Sequence, residues 1–172
     1  MGNTDFRMER RTMIFRRRFR ATCTAVYDAW TEPAKLTRWF GPTIATSTVS
    51  ELDARVGGEW RIVMVMPDGV PYPLKGVYAE TVPGERLVFT MDVAEHPDAW
   101  HAALDAFRDT PTGARGGSIV TTVTFEAAPD DETVMTVSQR FDEASDRDAH
   151  YHMGSPKGWG ESFDRLEELL AG

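Results

Sequence analysis

The feature that most constrains this chain is a series of segments in which apolar and polar residues alternate with a period of two, closed by a single amphipathic helical stretch. The alternating segments are Thr12 to Arg20, Ile44 to Leu52, Glu59 to Met66, Tyr72 to Glu80, Arg86 to Val93, Ser118 to Phe125 and Val134 to Phe141. Each reads as a strand with one face toward a core. Asp68-Gly69 and Pro83-Gly84 fall between consecutive segments. Both pairs favour tight turns, so the strands should form an antiparallel meander.

A sheet buried on one face needs a cover. Trp159, Phe163, Leu166, Leu169 and Leu170 recur at helical spacing, with Glu161, Asp164, Arg165, Glu167 and Glu168 between them. That pattern predicts a C-terminal helix with one apolar stripe. Two short helices are expected after the first strand. Thr24 is placed to cap the first, which carries Val26, Tyr27 and Trp30, and Pro33 suits the opening turn of the second, with Leu36, Trp39 and Phe40 on its apolar side. Gly41-Pro42 then stops the helix. The expectation is an α+β chain of about seven strands.

A chain of 172 residues with 41% hydrophobic and 27% charged residues can build its own core, which argues against both disorder and a membrane protein. The formal charge of −8 opposes nucleic acid and anionic lipid. Seven arginines between Arg7 and Arg20 depart from that balance. They form either the wet face of an edge strand with a frayed tail, or a docking patch for an acidic partner. Cys23 stands alone, with no histidine or carboxylate beside it, and reads as a structural thiol. No apolar run reaches the length of a membrane span, so the expected location is the cytoplasm.

Four blocks in order resemble the activator-of-Hsp90-ATPase-like family of the START-like, SRPBCC or Bet v 1-like superfamily. They are Val26-Tyr27-Asp28-Ala29-Trp30-Thr31-Glu32-Pro33 with Trp39-Phe40-Gly41-Pro42; Arg55-Val56-Gly57-Gly58-Glu59-Trp60-Arg61; Gly76-Val77-Tyr78-Ala79-Glu80 with Pro83-Gly84-Glu85-Arg86; and Arg147-Asp148-Ala149 through Gly158-Trp159 to Leu166. The resemblance implies a helix-grip fold, a bent antiparallel sheet holding the C-terminal helix over an internal cavity. It divides the chain into a tail at 1–10 and one domain at 11–172, with an insertion at about 95–117 relative to the family. An Hsp90-type chaperone interaction is a further implication, although nothing here corresponds to the co-chaperone's separate N-terminal domain.

Within the insertion, Trp100, Ala103, Leu104 and Phe107 repeat at helical spacing after His96-Pro97-Asp98, which predicts a short helix serving as lid, interface or packing element. Facing inward, and so candidates for a cavity wall, are Trp39, Trp60, Ile62, Met64, Tyr72, Tyr78, Phe89, Met91, Met135, Gln139, Trp159 and Phe163, joined by Trp100 and Phe107 from the insertion. Glu80 shares strand parity with Tyr78 and is the first choice for acid–base chemistry, unless Arg61 or Arg86 holds it in an ion pair.

His150 and His152 are two apart, a spacing that does not serve zinc on a helix, and solvent exposure is expected for His96 and His101. No metal site and no cofactor is expected. Three functions stay open: binding of a small hydrophobic or aromatic molecule in the cavity, an enzyme of the cyclase, dehydratase or hydrolase type using the same space, and a chaperone-associated or stress-response interaction module. Exposed strand edges leave room for a homodimer.

Overall fold

Alternation in the first segment becomes strand β2 (Thr12–Phe19), in which Met13, Phe15, Arg17 and Phe19 are buried while Arg16 and Arg18 face solvent. The computed structural model describes residues 2–172. Helices α1 (Cys23–Thr31) and α2 (Pro33–Trp39) follow, then β3 (Thr46–Leu52), β4 (Glu59–Val65), β5 (Pro71–Val82) and β6 (Arg86–Asp92). Next come α3 (Asp98–Ala106), β7 (Ser118–Ala128), β8 (Glu132–Arg140), α4 (Ala144–His152) and α5 (Ser155–Ala171).

The described strands number eight rather than about seven, because residues Asp5–Glu9 form β1 instead of a tail. Phe6 and Met8 alternate there with Asp5, Arg7 and Glu9, but the run is only five residues long and Met8 stays exposed. The strand is held by pairing to β2 and by Phe6 packing 5.2 Å from Phe15. The sheet order is β1-β2-β8-β7-β6-β5-β4-β3, with every neighbour antiparallel. It is curved and unclosed. Its concave face carries the core and receives α5 through Trp159, Phe163 and Leu166. Among the described residues no helix is long and apolar enough to cross a membrane.

Turn chemistry follows the residues. Gly69 and Gly84 take positive φ at the two predicted corners, and Asp68 closes its own turn by accepting from the Val70 amide. The cap of α1 lies two residues earlier than predicted. Thr22, not Thr24, accepts from the Ala25 amide at 3.2 Å, because the helix starts at Cys23. Pro33 occupies the first turn of α2 as expected.

One irregularity repositions a residue singled out above. Tyr78 pairs with Phe89 but Glu80 pairs with Val88, so β5 carries one extra residue at Ala79. A bulge of this kind reverses side-chain parity beyond it. Tyr78 stays buried against Phe89, whereas Glu80 turns to the convex face and pairs with Arg86 at 3.1 Å. The cavity role for Glu80 is therefore corrected to a surface ion pair. Tyr78 and Glu80 do not converge as a catalytic pair, and burial pushes the Tyr78 phenol well above its ordinary pKa.

Candidate functional site

The junction of α2 with β3 fixes one wall of a cavity beneath α5. Gly41 adopts a φ of 105°, which a side chain would strain, and the turn Phe40-Gly41-Pro42 is pinned to α5. The Gly41 amide donates to Ser162 Oγ at 3.1 Å, Ser162 donates to the Gly158 carbonyl, and Arg165 donates to the Gly41 carbonyl. Ser47 Oγ closes the same corner by donating to the Phe40 carbonyl at 2.6 Å.

The floor comes from the sheet. Met64, Leu74, Met91 and Ile119 present apolar side chains, and Gln139 supplies the polar point. Gln139 is buried and fully used: its Oε1 accepts from Trp159 Nε1 at 3.0 Å, and its Nε2 donates to Thr121 Oγ1 at 3.3 Å. Indole can only donate, so this contact fixes which way the amide points.

The third side is α3 with the segment before it. Trp100 is ringed by imidazoles, with centroids 4.6 Å from His96, 5.1 Å from His101 and 5.8 Å from His150. All three histidines are buried, which corrects the exposure expected for His96 and His101. The cause is tertiary. α3 lies beside α4, which has no apolar period to announce it, and together they enclose residues that look polar in the sequence.

The pocket these three sides form opens to solvent and has a volume of about 150 Å³. Of the residues expected on its wall, Met64, Met91, Trp100, Gln139 and Trp159 line it. Trp39, Trp60, Ile62, Tyr78, Phe89, Met135 and Phe163 instead belong to the packed core beside it. Trp39 stacks edge-on against Trp30 at 4.7 Å, and Met135 Sδ accepts from Trp30 Nε1. Tyr72 stands edge-on to His96 without reaching the space, and Phe107 points outward to stack on His152. Phe40, Leu74, Val93, His96, His150 and Ser162 complete the wall. Of these, only the inward parity of Leu74 and the helical stripe ending at Phe40 were visible in the sequence.

Four other grooves are larger, at 400 to 620 Å³. One of 460 Å³ runs between residues 108–119 and 141–150, and one of 620 Å³ surrounds Arg18, Glu132 and the end of α5. Several of their charges are matched, Arg108 to Asp105 and Asp146, and Arg18 to Glu132. The smaller cavity is the one with no charged residue on its wall.

Burial, opposed in part by the Pro73 carbonyl, pulls the His96 pKa down to about 4, and burial likewise lowers His101 and His150. The fold therefore holds neutral imidazoles, while the unfolded chain protonates them near 6.5. Their stabilisation is complete above pH 6.5 and is lost as pH falls toward 4, with His96 alone worth ~3 kcal/mol. Urea midpoints should fall steadily between pH 6.5 and 4.5, and less steeply in His96→Phe. A midpoint constant over that range contradicts the assignment.

A bent antiparallel sheet closed by a long C-terminal helix defines a helix-grip protein of the SRPBCC, Bet v 1-like kind. Residues 20–171 match the family described as activator of Hsp90 ATPase homolog 1-like protein, and the chain belongs to that family. No curated protein matches the chain significantly. Solved structures similar to it include a Mycobacterium smegmatis protein, with 20% identity, TM-score 0.80, and 99% of this chain and 98% of that one covered. An Arthrobacter aurescens protein has 23% identity and TM-score 0.80 over 98% of this chain and 91% of that one. An AHSA1 protein from Silicibacter pomeroyi has 24% identity and TM-score 0.67 over 93% and 97%. At these identities the likeness concerns the fold.

Proposed function

We propose that this protein binds a small apolar or aromatic molecule in the cavity between the sheet and α5. The observation that carries the reading is the composition of the wall: Met64, Leu74, Met91, Trp100 and Trp159 surround the space and no charged side chain reaches it. A space of roughly 150 Å³ is large enough for benzene. The expected ligand is accordingly one ring or a short branched chain.

Gly158 supports the same reading. It sits inside α5 on the cavity wall, and a Cβ added there meets no atom within 4 Å. Lying in the first turn of α5, it leaves that part of the wall without a side chain. A larger side chain at this position should fill the cavity without breaking the core.

Titration with toluene, followed through the indole resonances of Trp100 and Trp159, tests the proposal. Binding is expected in the parent protein, together with a rise in melting temperature that grows with ligand concentration. Gly158→Leu should stay folded and bind about tenfold more weakly or worse, the scale of filling a cavity of this size. Equal binding by the variant, or none by the parent, contradicts the proposal.

A further inference from the structure

The hydrogen-bonding roles around the cavity leave one function unspent. His150 Nδ1 lies 2.9 Å from the Asp146 carbonyl on its own helix. A carbonyl only accepts, so the proton resides on Nδ1 and Nε2 carries the lone pair. That Nε2 is closed to solvent and has no partner among the described residues, and His150, 6% exposed as a whole residue, belongs to the cavity wall. His96 has the same tautomer for the same reason, its Nδ1 standing 3.0 Å from the Pro73 carbonyl.

The other polar groups on the wall point to the same chemistry. Gln139 is held by Trp159 and by Thr121 Oγ1, and Ser162 by the Gly41 amide and the Gly158 carbonyl, while Ser155 at the start of α5 adds a hydroxyl to the same wall. His101 has the reverse arrangement, its Nδ1 accepting from the Gly116 amide, but it is not on the wall. The imidazoles thus offer acceptors. No cation faces the space to hold a carboxylate, and no carboxylate faces it to hold an amine. An ion would lose its hydration without a partner.

We infer that the ligand is a neutral molecule bearing a hydroxyl, of the phenol or small alcohol class, whose O–H donates to His150 Nε2 while its apolar part lies against Trp100, Met91 and Trp159. This rests on the reading that the cavity binds small molecules, and it adds a polarity and an anchor. His150 and Ile119 line both the cavity and the 460 Å³ groove, which places the anchor at the end of the cavity nearest that groove.

Phenol, toluene and benzoate titrated at pH 7.5 separate the two levels of the account. A wall without a free acceptor favours toluene, because the phenol hydroxyl then loses its water for nothing. With the acceptor, phenol is expected to bind about tenfold tighter than toluene, and benzoate more weakly than either. In His150→Leu the preference should vanish, and in His150→Gln, whose amide oxygen still accepts, part of it should return. Toluene binding as tightly as phenol, or a phenol preference unchanged in His150→Leu, overturns the hydroxyl anchor while leaving the cavity reading standing. Failure of all three probes to bind overturns both.

Discussion

Gly76→Ala should destabilise this protein by on the order of 3 kcal/mol, a large effect for one methyl group and one with a single geometric cause. Gly76 lies in β5 opposite Trp60 of β4. A Cβ built there would stand 1.7 Å from the Thr90 carbonyl oxygen of β6 and 2.6 Å from Trp60 Nε1. The indole crosses the place where that side chain would be and donates to the Thr90 carbonyl at 3.1 Å. Thr90 answers on the same stretch by accepting the Val77 amide on its own hydroxyl, so side chains replace part of the β5–β6 ladder here.

An alanine would have to push two backbones apart or expel the indole from its hydrogen bond. Either route leaves a partly buried carbonyl without its donor. The check is the urea midpoint of Gly76→Ala beside Trp60→Phe, which removes the hydrogen bond but not the space. The glycine variant should be the less stable. If Gly76→Ala stays within about 0.5 kcal/mol of the parent, an ordinary surface-substitution effect, the close approach is not as described.

Arg17→Met should cost ~3 kcal/mol by leaving two partly buried carboxylates without their cation. Arg17 sits on the inward parity of β2, where Met13, Phe15 and Phe19 are apolar, and its side chain is 1% exposed. It donates to Asp164 at 2.7 Å and to Glu167 at 2.8 Å, residues one helical turn apart on α5. Burial alone would push the Glu167 carboxyl up, but the Gly2 amide and the Arg17 guanidinium outweigh it and hold the pKa below the usual range. The guanidinium therefore fastens the covering helix to the sheet.

Two controls separate this clamp from simple packing. Arg17→Lys should recover little, because a single ammonium cannot reproduce the forked contact with two carboxylates. Replacing Asp164 and Glu167 by leucine in the Arg17→Met background should recover most of the loss, since the unpaired charges then disappear. A loss in Arg17→Met below about 1 kcal/mol, the ceiling for an exposed pair, would mean that solvent already screens these groups.

The sequence exposes the layers of this fold better than its site. Strand alternation and the α5 stripe identify which faces meet, and five cavity residues, Met64, Met91, Trp100, Gln139 and Trp159, follow from parity and spacing alone. Parity fails at Glu80, because a one-residue bulge leaves no mark in composition but moves every later side chain of β5 to the other face. On β1 the alternation of Phe6 and Met8 with Asp5, Arg7 and Glu9 is present but only two apolar residues long, too short to separate a strand from a tail.

Histidines expose the deeper limit. His96, His101 and His150 read as polar residues on short helices or loops, yet α3, α4 and the sheet bury them around one tryptophan. Their burial depends on pairs of elements far apart in the chain, and no local period records it. Arg17 is the converse case. Its place on an apolar parity announces burial, while its partners lie 147 and 150 residues away.

The central claim concerns where a ligand sits, and intermolecular nuclear Overhauser effects test it most directly. With toluene bound, contacts are expected from its ring protons to the methyl groups of Met64 and Met91 and to the indoles of Trp100 and Trp159. Contacts confined to Phe107, His152 or the outer groove, with the four cavity residues silent, would contradict the account.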